Sequence, residues 1–389
     1  MKHKTMILNV GPQHPATHGV LRIRVEVDGE TIVNAEPLVG YLHTGIEKNM
    51  EAKKYTQVIT MTDRMDYLAP MSNNLVYVMA VEKLMGIEVP LKAQYIRVIM
   101  TELTRINSHL VWLGTHATDI GAMTMLLYCF REREKILQIY EFLSGVRMMS
   151  SYFRIGGLAM DVPEGFDERV KDILDTFPSK IDEYEGLLTE NKIWKNRTIG
   201  VGKISAEEAL KSGLSGPLLR GSGVNWDIRK SNPYSSYDRF EFDVPLGLNG
   251  DTYDRYKCRV EEMRQSLRII KQAMGGLPGG PCKSTDYKIT PPPKAEVLQN
   301  MEPLIHHFKF WTEGFNTPEG DVYHSIESPK GEIGCYIVSD GSNKPYRVHF
   351  RPPAFVNVSA LNKLAKGMMI SDLIAIIGSI DIVLGEIDR

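Results

Sequence analysis

The run Gly275-Gly-Leu-Pro-Gly-Gly-Pro281 constrains this chain most, because neither a helix nor a strand passes through it. It divides two textures. From about Glu47 to Gly275, apolar residues recur at three- and four-residue spacing, the period of a helix with one buried face. This spacing predicts helices over Leu75 to Leu84, Tyr95 to Leu113, Phe130 to Leu143 and Val170 to Leu188. In the third, Arg131, Glu132, Arg133, Glu134 and Lys135 are expected on the polar side. Ser205-Ala-Glu-Glu208 is a capping box ahead of a short helix, and Cys258 to Met274 is a long amphipathic helix that ends at the breaker. Beyond it, Pro291-Pro-Pro293 is a stiff connector. Val322 to Ser328, Gly334 to Ser339 and Tyr346 to Phe350 then read as strands, with a turn at Asp340-Gly341, and Ser371 to Ile377 opens a last apolar segment.

Before the helical stretch, Met6 to Val10 reads as a strand, and Leu21, Ile23, Val25 and Val27 alternate with charged residues. Asp28-Gly29 turns the chain and Thr31 to Leu38 returns. The expected fold class is therefore α+β, a central helical bundle with small antiparallel sheets at the N-terminal and C-terminal regions. Expected domain divisions are 1–45, a sheet with a functional loop; 46–281, the helical core; and 282–389, an α+β region whose end packs back on the core.

Composition narrows the function. With 24% charged and 43% apolar residues the 389-residue chain resembles ordinary globular proteins, and a net charge of −2 gives no nucleic-acid footprint. The four cysteines, Cys129, Cys258, Cys282 and Cys335, form no CxxC pair, which argues against a zinc ribbon, a chain-borne iron–sulfur cluster or any demand for disulfides. The first residues hold no apolar stretch fit for a signal peptide, and no window approaches the ~18 apolar residues of a spanning helix. Met368 to Leu384 comes nearest and carries Asp372 and Asp381. There is no GxGxxG after a strand, no complete phosphate loop, no GxSxG and no HExxH. An isolated hydrolase, kinase or nicotinamide-binding enzyme has nothing to rest on.

Three polar constellations remain. The loop Gly11-Pro-Gln-His-Pro-Ala-Thr-His-Gly19 sets His14 and His18 between residues that bend and stiffen the backbone; it is either a structural connector or a holder for an imidazole. Arg64-Met-Asp-Tyr67 spaces a cation and a phenol on one side of a helical turn; the alternative is a buried tyrosine with one satisfied hydroxyl. His109, His116 and Asp119 fall near one helical face, as a polar helix end or, with less support, a metal site.

The Gly11–Gly19 loop, Gly40-Tyr-Leu-His-Thr-Gly-Ile-Glu-Lys48 and Arg64-Met-Asp-Tyr67 resemble the D subunit of NADH-quinone oxidoreductase, respiratory complex I. So do Phe130-Arg-Glu-Arg-Glu134, Tyr152-Phe-Arg-Ile-Gly-Gly157, Leu214-Ser-Gly-Pro-Leu-Leu-Arg220, Gly276-Leu-Pro-Gly-Gly-Pro281 and the closing Gly378-Ser-Ile-Asp-Ile-Val-Leu-Gly-Glu-Ile-Asp-Arg389, in order along the chain. That family is similar to the large subunit of nickel–iron hydrogenases, whose metal sits on two CxxC pairs. Here the matching positions are Asp66 and Ala69, then Val383 and Glu386. Without thiolates a nickel site fails, no metal ligand is expected, and the old cavity is free for another ligand.

The resemblance implies that this ligand is the headgroup of a quinone, menaquinone or ubiquinone, bound as substrate beside a 4Fe-4S cluster held by the adjacent B subunit. His18 and Tyr67 would flank the headgroup and donate protons, with Asp119 orienting His18 and favouring its protonated form. His14 is assigned to the loop's scaffold. Arg64 matches a position near the partner's cluster. Met149 stands where many relatives carry histidine close to the same cluster, which implies a lower and less pH-dependent cluster potential, suited to a low-potential quinone such as menaquinone. By the same resemblance the chain holds no flavin, cluster or NADH, has no activity alone, and works with the B, C, I and membrane H subunits. It would lie as a peripheral protein on the cytoplasmic side of the cell membrane, in a proton-pumping complex of the respiratory chain. The alternative is the equivalent hydrogenase-like subunit of an ion-pumping complex fed by ferredoxin or F420.

Overall fold

A computed structural model describes residues 5–14 and 18–389; Pro15, expected to stiffen the first loop, lies outside them. The fold is α+β, with helices around two three-stranded antiparallel sheets and a two-stranded ribbon.

The first sheet joins β1 (Met6–Val10), β2 (Arg22–Asp28) and β3 (Thr31–Leu38) in the order β1-β2-β3. Ile23, Val25 and Val27 of β2 are buried while Arg24 is exposed, as the alternation requires. Gly29 takes φ 63° in the β2–β3 turn. The buried face packs on the far end of the sequence. Ile32 N–H donates to Met368 O at 2.8 Å, and Gly367 N–H donates to Ile32 O at 2.8 Å. One apolar cluster thus contains Ile23 and Ile32 together with Leu361, Ile376 and Ile387.

The centre is the helix Leu91–Asp119, 29 residues long and buried along most of its length. It packs on Thr124–Ser144 and Thr252–Gly275. The latter begins six residues before its expected start because Asp251 caps it, accepting from Asp254 N at 2.9 Å. Ser205 likewise caps Ala206–Lys211 by accepting from Glu208 N at 3.2 Å.

A ribbon, β4 (Phe153–Arg154) with β5 (Gly157–Leu158), precedes the helix Phe166–Leu188. After the breaker come two helices, Lys294–Gln299 and Met301–Thr312, that the sequence pattern does not announce. The meander β6 (Gly320–Ser328), β7 (Gly331–Ser339) and β8 (Arg347–Arg351) then packs on the helix Pro70–Met85.

Much of the charge inside this core is paired. Arg97 grips Glu82 through 2.9 and 2.7 Å contacts. Arg229 reaches Asp227 at 2.6 Å and Glu102 at 3.2 Å, while Arg220 binds Glu327 at 2.7 Å and also Glu262. Glu132 and Arg133, expected on a polar face, are buried, because a second layer of helix covers that side.

Candidate functional site

His18 stands just ahead of β2 in the left-handed region, φ 52°, followed by Gly19 at φ 135°. A Cβ at Gly19 would lie 2.8 Å from Leu384 Cδ1, so glycine permits both the bend and the close approach of the C-terminal segment. The bend aims His18 at the end of the central helix, where its Nε2 lies 2.6 Å from Asp119 Oδ2. Both side chains are mostly covered, 13% and 14% exposed.

The Arg64–Tyr67 segment is a turn between the helices Tyr55–Thr62 and Pro70–Met85, not a helical turn. The two side chains therefore part. Tyr67 enters the same cavity as His18 and Asp119, whereas Arg64 is exposed and donates to Thr60 O at 2.6 Å. The cavity has a volume of about 360 Å³, within the range of small-molecule sites. Leu68, Val111, Trp112, Leu126, Ile382 and Val383 give it an apolar wall; Thr115, Thr118 and Asp381 complete it. An apolar slot with an imidazole, a phenol and carboxylates can hold a flat ring and exchange protons with its oxygens. Burial, and then the charge of Asp66, raise the Tyr67 hydroxyl above its usual range, opposed by Lys330, so the phenol keeps its proton.

His109 and His116 do not join Asp119. His109 Nε2 is 2.8 Å from Glu262 Oε2 inside the core. His116 is fully buried, stacked on Trp112 with ring centroids 5.5 Å apart and edge-on to Trp194 at 5.2 Å. Burial, and then His18, lower His116 well below the ordinary imidazole value, so it is neutral. The three side chains share a helix and part to three different partners.

Met149 lies in a separate region, in the left-handed conformation at φ 55°. Two residues on, Ser151 donates through N–H and Oγ to Asp63 Oδ2, at 3.1 and 2.6 Å. Asp63 precedes Arg64 in the chain and so ties the Met149 segment to the Arg64 turn. Burial raises the Asp63 carboxyl to about 6 against the pull of its Ser151 hydrogen bonds. Sequence reasoning missed Asp63, and it missed Asp381 and Trp112; a lone acid beside Arg64 and an aspartate in a closing apolar run were the signals to find them by.

A larger cleft of about 580 Å³ lies around Lys83, Gln94 and His324. Its principal charges, Glu82 and Arg97, are spent on each other, so the smaller cavity is the better candidate.

The fold and site define an α+β chain with a small buried cavity set between an N-terminal sheet, a long central helix and a returning C-terminus. The family model described as respiratory-chain NADH dehydrogenase, 49 Kd subunit, matches residues 119–389. Among similar chains is the D subunit of NADH-quinone oxidoreductase from Geotalea uraniireducens, 62% identical over 384 residues, 99% of this chain and 98% of the relative. Those of Geobacter sulfurreducens, over 99% of this chain and 98% of the relative, and of Citrifermentans bemidjiense, over the whole of both, are 60% identical. The chain belongs to the family of the 49 kDa subunit, also called the D subunit, of respiratory-chain NADH-quinone oxidoreductase.

Proposed function

We propose that this chain forms the quinone-headgroup site of an NADH:quinone oxidoreductase and reduces quinone only as part of that complex. The observation that carries the reading is the convergence of His18, Asp119 and Tyr67, from three distant stretches of sequence, on one apolar-walled cavity. Full quinone reduction takes two electrons and two protons. His18 and Tyr67 each hydrogen-bond one quinone oxygen and give it a proton; Asp119 orients the imidazole. Electrons come from NADH through the complex and arrive from a 4Fe-4S cluster on the adjacent B subunit, beside Arg64 and Met149. The C, I and H subunits complete the neighbourhood.

The chain rests on the cytoplasmic face of the cell membrane. No helix among the described residues is long and apolar enough to cross one, which fits that placement. Loss of protons from the His18–Tyr67 pair changes the local charge and starts the movement that drives proton pumping in the membrane arm. The divisions at 45/46 and 281/282 mark the site-bearing sheet, the helical core and the returning end.

The test is Tyr67→Phe in the assembled complex. Quinone reduction is expected to fall about 100-fold, the scale of a lost proton donor, with NADH oxidation by ferricyanide unchanged. Equal loss of both activities would sink the assignment.

A further inference from the structure

Behind the cavity lies a second cluster that the quinone reading does not use. Lys330, in the turn between β6 and β7, is fully buried. Its Nζ donates to Asp66 Oδ2 at 2.9 Å and to Ser108 Oγ at 3.1 Å. Three carboxyls surround this one ammonium: Asp66 from the Tyr67 turn, and Asp381 and Glu386 from the C-terminal segment. None is more than 4% exposed. The segments meet closely, since a Cβ at Gly385 would lie 2.6 Å from Met65 O.

Asp66 is well supplied with donors, taking Leu68 N–H at 3.1 Å besides Lys330. Glu386 is not. Its Oε2 takes one long hydrogen bond from Ala354 N at 3.3 Å, and its Oε1 has no partner. Asp381 lines the cavity, faces Arg259, and leaves Oδ2 without a partner. Arg259 is fully buried over the Trp112 ring at 4.3 Å, with none of its three nitrogens hydrogen-bonded.

Around Lys330 the charges do not balance while Asp66, Asp381 and Glu386 are all ionised, because Arg259, the cation facing Asp381, also faces Glu262. In a site without bulk water that surplus is relieved by one proton. The poorest-solvated carboxyl is where it goes. Burial, and then Asp66, push Glu386 up to about 8 against the pull of Lys330.

We propose that Glu386, grouped with Asp66 around Lys330 beside Tyr67, holds one exchangeable proton at neutral pH and returns it to Tyr67, by way of Asp66, after that hydroxyl has protonated a reduced quinone. The step rests on the quinone reading and balances with it. Quinone takes two electrons from the NADH-driven reaction, one proton from Tyr67 Oη and one from the His18 ring, and leaves as quinol. The Tyr67 phenolate takes the proton stored on Glu386, and Glu386 is refilled from water. Glu386 acts through Asp66 and Tyr67 and is a positioning and proton-storing residue; it does not line the cavity.

The test uses the assembled complex with a short-chain quinone. In the unaltered complex, turnover is expected to fall as pH rises through about 8, where the store empties. Glu386→Gln is expected to lower turnover about tenfold at neutral pH and to abolish that alkaline limb, with quinone KM within about twofold and Glu386→Asp restoring most of the rate. A Glu386→Gln complex that keeps both rate and alkaline limb overturns the proposal. If the variant fails to assemble, infrared difference spectra of the unaltered complex decide. A protonated-carboxyl C=O band that disappears during quinone turnover supports the store, and its absence overturns it. A photoreactive quinone separates the two readings: no labelling of the His18–Tyr67 cavity removes the site reading and the store with it, whereas normal labelling with an unmoved pH profile removes the store alone.

Discussion

Two clusters of buried charge meet the Leu91–Asp119 helix, and they are built in opposite ways. Around Glu102, Arg105 and His109, every carboxylate finds a guanidinium: Glu102 and Asp227 on Arg229, Glu262 and Glu327 on Arg220. Tyr237 and Ser266 fill further positions on Glu102, at 2.6 and 2.7 Å. Around the cavity the reverse holds. Asp381 Oδ2, Glu386 Oε1, both ring nitrogens of His116 and all three Arg259 guanidinium nitrogens have no hydrogen-bond partner in the protein. A network in which every carboxylate is gripped, with only Arg220 Nε and His109 Nδ1 left over, fixes helices. An unsaturated one beside a cavity keeps its polar capacity for small exchangeable partners such as protons and water, and, on the proposed function, quinone oxygens.

The contrast breaks most visibly at Glu262. Glu262→Gln leaves Arg220 and His109 buried with less compensation. It is expected to cost about 3–5 kcal/mol, the scale for breaking a buried pair, read as a lower unfolding temperature and little assembled complex. Unchanged stability would show that the first cluster is not the strut described.

Asp119→Asn should act the other way. Asparagine keeps the shape but not the charge that orients His18, so quinone reduction is expected to fall about 10- to 100-fold. Ferricyanide-linked NADH oxidation and the unfolding temperature should hold. A large loss of stability instead would place Asp119 with the structural charges.

Met149→His puts a titratable ring beside Asp63 and Arg64. Potentiometric titration of the partner-held cluster proposed to lie nearby is expected to give, at several pH values, a higher potential with a steeper pH slope than in the unaltered complex. An identical slope means that residue 149 does not sense the cluster. Smallest of all, Ser205→Ala removes one helix cap far from either cluster. About 1 kcal/mol of stability should go, with activity unchanged.

Much of the framework was legible because it is local. The alternation in β2, the Asp28-Gly29 turn, the 3–4 spacing of the long helices and the breaker at Gly275–Pro281 each report on a few neighbouring residues. Errors fell where one face of an element meets something distant in sequence. Glu132 and Arg133 read as a polar face because charge at helical spacing normally meets solvent. The Met301–Thr312 helix went unread beside Pro291-Pro-Pro293, its apolar Leu304, Phe308 and Trp311 being largely exposed. Arg64 and Tyr67 were assigned to one side of a helical turn, but Ala69 starts a helix only at Pro70, and the turn before it sends the two apart.

By itself the sequence determined the family, the α+β framework and which residue types could exchange protons, because these follow from local pattern and from motifs that run in order along the chain. It also left no thiolate at the four positions that match the hydrogenase metal ligands. The resemblance already grouped His18, Tyr67 and Asp119; only the tertiary structure supplies the contacts, and the Lys330 cluster behind them. His18 is 101 residues from Asp119, and Lys330 is 264 residues from Asp66, so no periodicity links them. Packing of the C-terminal segment against β2, the central helix and the Tyr67 turn brings them together. Burial then decides which charges must be paired, because removing water makes every unpaired charge costly.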